Sequence, residues 1–211
     1  MFKSFSILFG LTADPVHKGH EQAIINGISF LRQQGFTIEQ FLLIPVYQPN
    51  LIDHKQRPVA SFQHRFNMCE LIAKNLSKQL KCDIKVSKIE HDIALKTGQK
   101  NYTLNTLKQL NIDNCLFMVS ADHFQGHSPK FNKWFRWKEL LQYSGLLINQ
   151  RPGHLINQKF INEIKSINPD VLLVESSTVI NTSSSQIRAG FNVAENLSAD
   201  ILQYVQNHNL Y

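Results

Sequence analysis

The sequence predicts an α/β fold in which an open parallel β-sheet is flanked by helices. Short apolar and β-branched runs alternate along the chain with stretches in which apolar residues recur at helical spacing. This alternation is typical of parallel sheets, because each strand needs a crossover segment before the next can run in the same direction. No internal repeat and no low-complexity linker divides the chain. We therefore expect a single domain over residues 1–211.

The strands are predicted from short runs rich in Val, Ile, Leu and Phe. Several of these runs lack polar residues, which indicates burial on both faces of the sheet. In chain order the predicted strands cover residues 6–9, 41–46, 84–89, 115–119, 146–148 and 171–174.

The helices are predicted from apolar residues at intervals of three and four. Gly35 stands where the first helix should stop, and Ser61 is a plausible N-cap for the second. Two helices should close the chain within 185–209, as part of the same domain. In chain order the predicted helices cover residues 23–31, 62–76, 103–110, 134–142 and 155–166, then one beginning near 185 and one carrying 197–205.

The composition indicates a soluble protein with an acidic partner. Lys and Arg number 22 against 16 Asp and Glu, which gives a formal net charge of +6. With 43% hydrophobic and 18% charged residues the chain is not typical of disorder, and no apolar run approaches the ~18 residues of a membrane span. The positive charge suits either a nucleic acid or a small polyanion, and by itself does not choose between them.

Cysteine usage favours a reducing compartment. Cys69, Cys82 and Cys115 are an odd set with wide spacing and no CxxC pair, which argues against a disulfide framework and against a cysteine zinc site. The apolar stretch near Met1 is too short for a signal peptide. We expect a cytoplasmic protein with no membrane partner. The sequence leaves its oligomeric state open, a homo-oligomer included.

The most informative stretch is 9–20, which reads as the end of a strand, a turn and the start of a helix. Its two histidines, His17 and His20, are three residues apart, so their rings should lie on the same side of the helix N-terminus. Backbone N–H groups and the positive end of the helix dipole there favour anions. The alternatives are two surface or capping histidines, or a zinc site, and the latter lacks a third ligand nearby.

Two loops follow predicted strands and are expected to serve function. They cover residues 48–59 and 126–133. In an open, Rossmann-like sheet, ligands bind in the crevice outside the carboxyl ends of the strands.

The stretch 8–20, LFGLTADPVHKGH, resembles the GxxxxPxHxGH signature that follows the first strand in the nucleotidyltransferase superfamily. Further landmarks narrow the resemblance to one family, bacterial nicotinate-nucleotide adenylyltransferase, over residues 7–188. Each landmark is weak alone, and their common order is specific. They are Ile44-Pro45, His54-Lys55, Arg65, Asn101-Tyr102-Thr103, Thr106, Asp122, Trp134, Arg151-Pro152-Gly153 and the SSSQIR stretch at 183–188.

The resemblance implies transfer of AMP from ATP to nicotinate mononucleotide, with Mg²⁺ accompanying ATP, to give deamido-NAD and pyrophosphate. The substrates are then small molecules, and a nucleic-acid partner is not expected. The attacking phosphate has a second pKa of about 6, so it is largely dianionic at neutral pH and requires no general base. The enzyme should instead supply oriented cations and N–H donors.

The resemblance also assigns roles by position. His17, His20 and Arg188 would be catalytic, with His20 at the α-phosphate and Arg188 at the β- and γ-phosphates. For the remaining residues it implies ATP binding by Gly10, Thr12, Ser183, Ser185 and Lys55, and acceptor binding by Tyr102, Thr103, Asp122, Trp134 and Arg151.

Several of these residues also have plainer interpretations. Trp134 is expected to stack on the pyridine ring, and the alternative is a core residue. Lys55 and Arg65 are either helpers on phosphate or solvated surface cations. The serines of SSSQIR also predict the N-capped start of a helix.

Departures from the family pattern keep two other functions open. Leu11 replaces a glycine, Ala13 replaces a large aromatic residue, Ser120 replaces another glycine, and a few extra residues separate Asp122 from Trp134. One alternative is a related nucleotidyltransferase acting on another phosphomonoester, such as nicotinamide mononucleotide or phosphopantetheine. The other is a non-catalytic protein that binds a nucleotide or RNA.

Overall fold

The computed structural model describes residues 3–49, 57–150, 155–175, 178 and 180–211. Within them the chain forms one parallel sheet of six strands in the order β3-β2-β1-β4-β5-β6. The predicted fold class is confirmed. The strands are β1 (Ser4–Leu11), β2 (Thr37–Pro45), β3 (Ile84–Val86), β4 (Cys115–Ser120), β5 (Gly145–Asn149) and β6 (Val171–Val174).

Helices connect the strands and follow the last of them. Two 3₁₀ turns, Ala121–Phe124 and Lys130–Lys133, lie between β4 and the next helix. The helices are α1 (Lys18–Gln33), α2 (Phe62–Leu80), α3 (Ile89–Thr97), α4 (Thr103–Leu110), α5 (Trp137–Tyr143), α6 (Gln158–Ile167), α7 (Ser184–Arg188), α8 (Val193–Asn196) and α9 (Ala199–Asn207).

The order of the strands creates a crevice at the centre of the sheet. Strand β1 pairs with β2 on one side and with β4 on the other. The connections leaving β1 and β4 therefore run to opposite sides of the sheet, and a gap opens above their carboxyl ends, where ligands bind in open α/β sheets.

Two apolar clusters cover the two faces of the sheet. Successive residues of a strand point to opposite faces, so Leu116 and Met118 join one cluster while Phe117 and Val119 join the other. The first cluster packs the sheet against α1, α2 and α9, and the second packs it against α4, α5 and α6. This explains why the strands lack polar alternation.

The strand predicted at 84–89 ends at Val86. Ser87 Oγ accepts a hydrogen bond from the backbone N–H of Ile89 at 3.2 Å, and this turn leads into α3. The prediction therefore missed α3, whose weakly amphipathic sequence does not display helical periodicity.

Two predicted helices begin later than expected. The helix predicted at 134–142 begins at Trp137, because Lys130–Lys133 forms a 3₁₀ turn and Arg136 adopts a left-handed backbone with φ of 50°. The helix predicted at 155–166 begins after Asn157, whose side chain caps it by accepting from Phe160 N at 3.0 Å.

The closing segment packs back onto the first half of the chain. Leu197, Ile201 and Val205 are buried in the cluster that also contains α1 and α2. Cys69, Cys82 and Cys115 are buried, and burial raises the pKa of the Cys69 thiol to about 12. Among the described helices, none is long and apolar enough to cross a membrane.

Candidate active site

A large open cleft of about 1240 Å³ lies at the carboxyl edge of the sheet. Its walls come from the ends of β1, β2, β4 and β5 and from the beginnings of α1, α4 and α7. Most of the residues predicted for the site border it, while Lys55 and Arg151 fall outside the described residues. The bordering residues are Gly10, Thr12, His17, His20, Tyr102, Thr103, Asp122, Trp134, Ser183, Ser185 and Arg188.

The two histidines form a close pair at the start of α1. His17 is the N-cap and is 4% exposed, and its ring centroid lies 3.8 Å from that of His20. The backbone N–H of His17 donates to His20 Nδ1 at 3.3 Å. A ring nitrogen that accepts carries no proton, so in this tautomer the proton of the neutral His20 ring is on Nε2. His20 can therefore act as a hydrogen-bond donor without being charged.

Gly19 makes room for this pair. A Cβ atom at Gly19 would lie 3.0 Å from Cε1 and Nδ1 of His17 and 3.2 Å from Thr182 Cγ2. Such distances are tighter than ordinary van der Waals contact, so a side chain here would displace the His17 ring. The glycine between the histidines is thus a packing requirement of the site.

Arg188 is held by the loop that precedes α1. Its Nη1 donates to the backbone carbonyl of Asp14 at 2.6 Å and lies 3.5 Å from the carboxylate oxygen Oδ2 of the same residue. Its Nη2 donates to Ser185 Oγ at 3.3 Å. A guanidinium with several anchored donors is pre-organised, so it loses little conformational entropy when it binds a phosphate.

Asp14 connects this loop to the segment before α2. Its carboxylate is 2% exposed and accepts from the backbone N–H groups of Val59 at 2.8 Å and Ala60 at 3.0 Å. Asp14 lies within the motif at 8–20, and its spacing alone does not indicate this role. A buried carboxylate that accepts several hydrogen bonds organises the loops around it.

The serines of the SSSQIR stretch cap α7, as predicted. Ser183 is the N-cap, and its Oγ accepts from Gln186 N at 3.3 Å. Ser184 Oγ donates to the carbonyl of Pro15 at 2.9 Å. This contact ties α7 to the loop before α1, and Arg188 lines the same cleft as the two histidines.

Arg65 is not a phosphate ligand and not a surface cation, so both predictions for it are wrong. Its side chain is fully buried and donates to backbone carbonyls in three segments. Burial lowers the pKa of its guanidinium, which nonetheless stays protonated. A guanidinium has five N–H donors in a rigid plane, which suits several carbonyl groups that converge on it. The Arg65 guanidinium donates to the backbone carbonyls of Thr12 at 2.7 Å, Val46 at 2.6 Å, Tyr47 at 3.2 Å and Ala60 at 3.3 Å.

Aromatic rings gather in another part of the cleft. Trp134 is half-buried and packs at 5.1 Å from Phe131 and edge-to-face at 5.3 Å from His123, which also borders the cleft. Tyr102 stacks on Phe135 with ring centroids 4.5 Å apart. Phe135 remains 45% exposed. Trp134 therefore combines packing with a ring edge or face available to a ligand.

Behind Tyr102 a polar chain joins α3 to α4. Glu90 is buried and accepts from Thr106 Oγ1 at 3.2 Å and from the backbone N–H of Tyr47 at 3.3 Å. Asn101 donates to Thr106 Oγ1 at 2.7 Å. Burial raises the pKa of Glu90, although these hydrogen bonds partly oppose the increase. Glu90, which the sequence pattern did not single out, thereby supports the segment 101–106 on the cleft wall.

Three buried side-chain oxygens along the cleft have no hydrogen-bond partner within the described part of the chain. They are Ser120 Oγ, Asn149 Oδ1 and Thr182 Oγ1. Leaving a polar atom buried without a partner costs ~1–3 kcal/mol. Their presence along the cleft indicates that it is built for a ligand with polar groups.

The departures at Leu11 and Ala13 are absorbed by the core. Leu11 is 5% exposed, pairs with Pro45 in the sheet, and has a backbone outside the left-handed region, so it is not strained there. Ala13 is 1% exposed and does have a left-handed backbone, with φ of 56°. Both residues belong to the buried cluster that packs against α1 and also line the cleft.

The described parts of the two loops predicted to serve function, 48–59 and 126–133, border the cleft. Gln48, Pro49 and Pro58 come from 48–59, of which 50–56 lie outside the described residues. Lys130 and Lys133 come from 126–133. The cleft thus combines fixed cations and N–H donors with aromatic surface, which defines a nucleotide-binding α/β protein equipped to handle phosphate groups.

The chain belongs to the cytidylyltransferase-like family, whose model matches residues 8–190. Among curated relatives, the probable nicotinate-nucleotide adenylyltransferase of Wigglesworthia glossinidia brevipalpis is 28% identical over 220 residues, covering 96% of this chain and 95% of the relative. The protein of the same name from Hydrogenovibrio crunogenus is 26% identical over 219 residues, with the same coverage of 96% and 95%.

Solved structures share the fold. The nicotinic acid mononucleotide adenylyltransferase of Plasmodium falciparum complexed with NaAD superposes with a TM-score of 0.72 at 21% identity, covering 99% of this chain and 97% of that one. The same protein complexed with APC gives a TM-score of 0.70 at 20% identity. At these identities the likeness establishes the architecture.

Proposed function

We propose that the protein transfers AMP from ATP to nicotinate mononucleotide, forming deamido-NAD and releasing pyrophosphate. One observation carries the proposal: the histidine pair, Arg188 and the Trp134 aromatic group border a single cleft above the central strands. Curated relatives over nearly the full length carry the name of this activity. The reaction belongs to the synthesis of NAD.

The phosphate chemistry is assigned to the region around α1 and α7. An oxygen of the acceptor phosphate forms a bond to the α-phosphorus of ATP, while the bond from that phosphorus to the bridging oxygen breaks. Pyrophosphate leaves with the bonding electron pair. His20, through Nε2–H, stabilises charge on the α-phosphate, and His17 supports it. Arg188 binds the β- and γ-phosphates and neutralises the departing pyrophosphate.

Nucleotide positioning completes this region. Gly10 and Thr12 lie where the β1 loop can approach phosphate, and hydroxyl groups of Ser183 and Ser185 border the same space. Lys55 is retained as a further proposed ATP contact. Bringing two anions together is the main obstacle, so orientation and charge neutralisation supply most of the catalysis.

The acceptor is assigned to the aromatic region. Trp134 packs on the pyridine ring, and Asp122 accepts from a ribose hydroxyl. Backbone donors at Tyr102 and Thr103, near the start of α4, lie beside the nicotinate carboxylate, an arrangement suited to an anion. Arg151 is retained as a further proposed acceptor contact.

Mg²⁺ is proposed to arrive with ATP. No cluster of three or more carboxylate, histidine or cysteine side chains in the described ranges could form a protein cage for a metal. Mg²⁺ commonly keeps several waters and binds through substrate phosphates, so this donor set is compatible with it. When bound, the ion would neutralise phosphate charge.

A direct assay tests the proposal. Purified protein is incubated with ATP, Mg²⁺ and nicotinate mononucleotide, nicotinamide mononucleotide or phosphopantetheine, and the dinucleotide and pyrophosphate are quantified. We expect deamido-NAD and equimolar pyrophosphate with the first acceptor. A His20→Ala preparation, purified in parallel, excludes a contaminating host enzyme. Turnover with only another acceptor would reassign the substrate, and no turnover with any acceptor would favour a binding protein.

A further inference from the structure

Tyr211, which follows α9, reaches the loop that holds the proposed catalytic arginine. Its hydroxyl donates to Asp14 Oδ1 at 2.8 Å, although the two residues are 197 positions apart. Tyr211 as a whole is 38% exposed, whereas Asp14 is 2% exposed. The hydroxyl therefore enters a buried polar group while the rest of the residue remains partly at the surface.

Asp14 links Tyr211 to Arg188. The backbone carbonyl of Asp14 accepts from Arg188 Nη1, and its carboxylate oxygen Oδ2 faces the same guanidinium nitrogen. The opposite carboxylate oxygen, Oδ1, accepts from Tyr211 and from Ala60 N. Rotation of the Asp14 carboxylate would move both oxygens together, so the Tyr211 hydroxyl restrains the group that faces Arg188.

We propose that Tyr211 is a positioning residue for the triphosphate site, acting on Arg188 through Asp14. It does not border the cleft and is not proposed to contact substrate. The inference rests on the proposed function in one respect, namely that Arg188 binds the triphosphate of ATP.

The chemistry of the donor suits this role. Burial and the neighbouring Asp14 carboxylate raise the pKa of Tyr211 above its ordinary value, so the hydroxyl keeps its proton through the neutral range. Hydrogen bonds to a charged acceptor are stronger than those between neutral groups. Apart from Arg188 itself, the other described donors to the Asp14 carboxylate are the backbone N–H groups of Val59 and Ala60, which no side-chain substitution removes. A substitution at Tyr211 therefore removes one hydrogen bond to the Asp14 carboxylate and leaves its backbone donors in place.

The test compares Tyr211→Phe with Tyr204→Phe. Both changes remove one hydroxyl from the segment that packs on α2. The hydroxyl of Tyr204 instead lies 3.0 Å from His64 Nδ1 and 3.0 Å from Asn67 Nδ2, on α2 itself. Tyr204→Phe therefore reports any general loosening of α9 without touching Asp14.

Calorimetric titration with MgATP and steady-state kinetics supply the measurements. We expect Tyr211→Phe to weaken MgATP binding and raise KM for ATP about three- to tenfold, with KM for the acceptor unchanged. Tyr204→Phe should bind MgATP within twofold of the parent protein. Equal MgATP affinity of Tyr211→Phe and the parent, or equal losses in both variants, would overturn the inference.

A double-mutant cycle with Arg188→Lys separates action through the arginine from an independent effect. If Tyr211 acts through Arg188, adding Tyr211→Phe to Arg188→Lys should change MgATP affinity by less than twofold. Additive losses would overturn the inference. Because binding is read without turnover, absence of deamido-NAD formation by the parent protein would refute the proposed function separately.

Discussion

Replacing Gly19 with alanine tests whether the geometry of the histidine pair limits the reaction. The new Cβ would lie 3.0 Å from two atoms of the His17 ring, and ordinary van der Waals contact begins at 3.4 Å. The ring must therefore move by about 0.4 Å, and the His20 ring, 3.8 Å away between centroids, must adjust with it. Misplacement by ~1 Å can cost about 10²-fold in rate. We expect kcat/KM to fall roughly five- to tenfold.

Stability should not fall in parallel with activity. Gly19 lies within the first turn of α1, and alanine is favoured over glycine in helices by up to ~1 kcal/mol, which offsets the cost of moving the ring. The assay is pyrophosphate release at varied ATP, together with thermal unfolding of the same preparations.

Gly27→Ala is the matched control. Gly27 is also in α1, and its added Cβ would meet Leu147 Cδ2 at 3.2 Å, away from both histidines and outside the cleft. It should shift thermal stability while leaving kcat/KM within twofold. If Gly19→Ala also keeps kcat/KM within twofold, or if both variants lose activity equally, the packing argument for the histidine pair is refuted.

Three further predictions follow from the site. His20→Ala should lower kcat by about 10²-fold or more with the fold intact, and a loss below about threefold would show that His20 donates nothing to the transition state. Arg65→Met should lower the free energy of unfolding, measured in urea, by ~3 kcal/mol or more, because buried carbonyls lose their donors. A loss under ~1 kcal/mol would contradict the bridging role of Arg65. Burial raises the pKa of Glu90 above 4.5, so the folded protein binds this proton more tightly than the unfolded chain does. The stability of the protein therefore falls as the pH rises from 4.5 through the pKa that Glu90 has in the folded state. Glu90→Gln should remove that decline in Tm against pH, and parallel curves for the two proteins would exclude Glu90 as its source.

Local sequence was sufficient where the relevant atoms are close along the chain. The pairing of His17 with His20 and the capping of α7 by Ser183 both follow from helical geometry over three or four residues. All six predicted strands are present, because apolar runs report burial directly, although the strand predicted at 84–89 ends at Val86. The predictions for 84–89 and 134–142 had wrong boundaries because each segment contains a turn. The turn at Ser87 ends β3, and the left-handed backbone at Arg136 delays the start of α5.

Asp14 and Arg65 show what the pattern could not reveal. Each is a charged residue in a region expected to bind phosphate, and each is instead almost completely buried against backbone groups. Val59, which donates to Asp14, lies 45 positions away along the chain, and Thr12, which accepts from Arg65, lies 53 positions away. The family resemblance suggested a phosphate contact for Arg65, and the sequence does not report which carbonyls converge on a side chain.

The sequence by itself determined the fold class, the position of the turn predicted to bind an anion, and the order of the motifs that resemble an adenylyltransferase. These depend on periodicity, helix geometry and short spacings, all of which are local. Only the tertiary structure decided that Arg65 bridges the loops, that Glu90 supports the segment 101–106 and that Tyr211 reaches Asp14. Those roles depend on contacts between segments that are distant in sequence. The packing of the two apolar clusters onto the faces of the sheet brings these segments together.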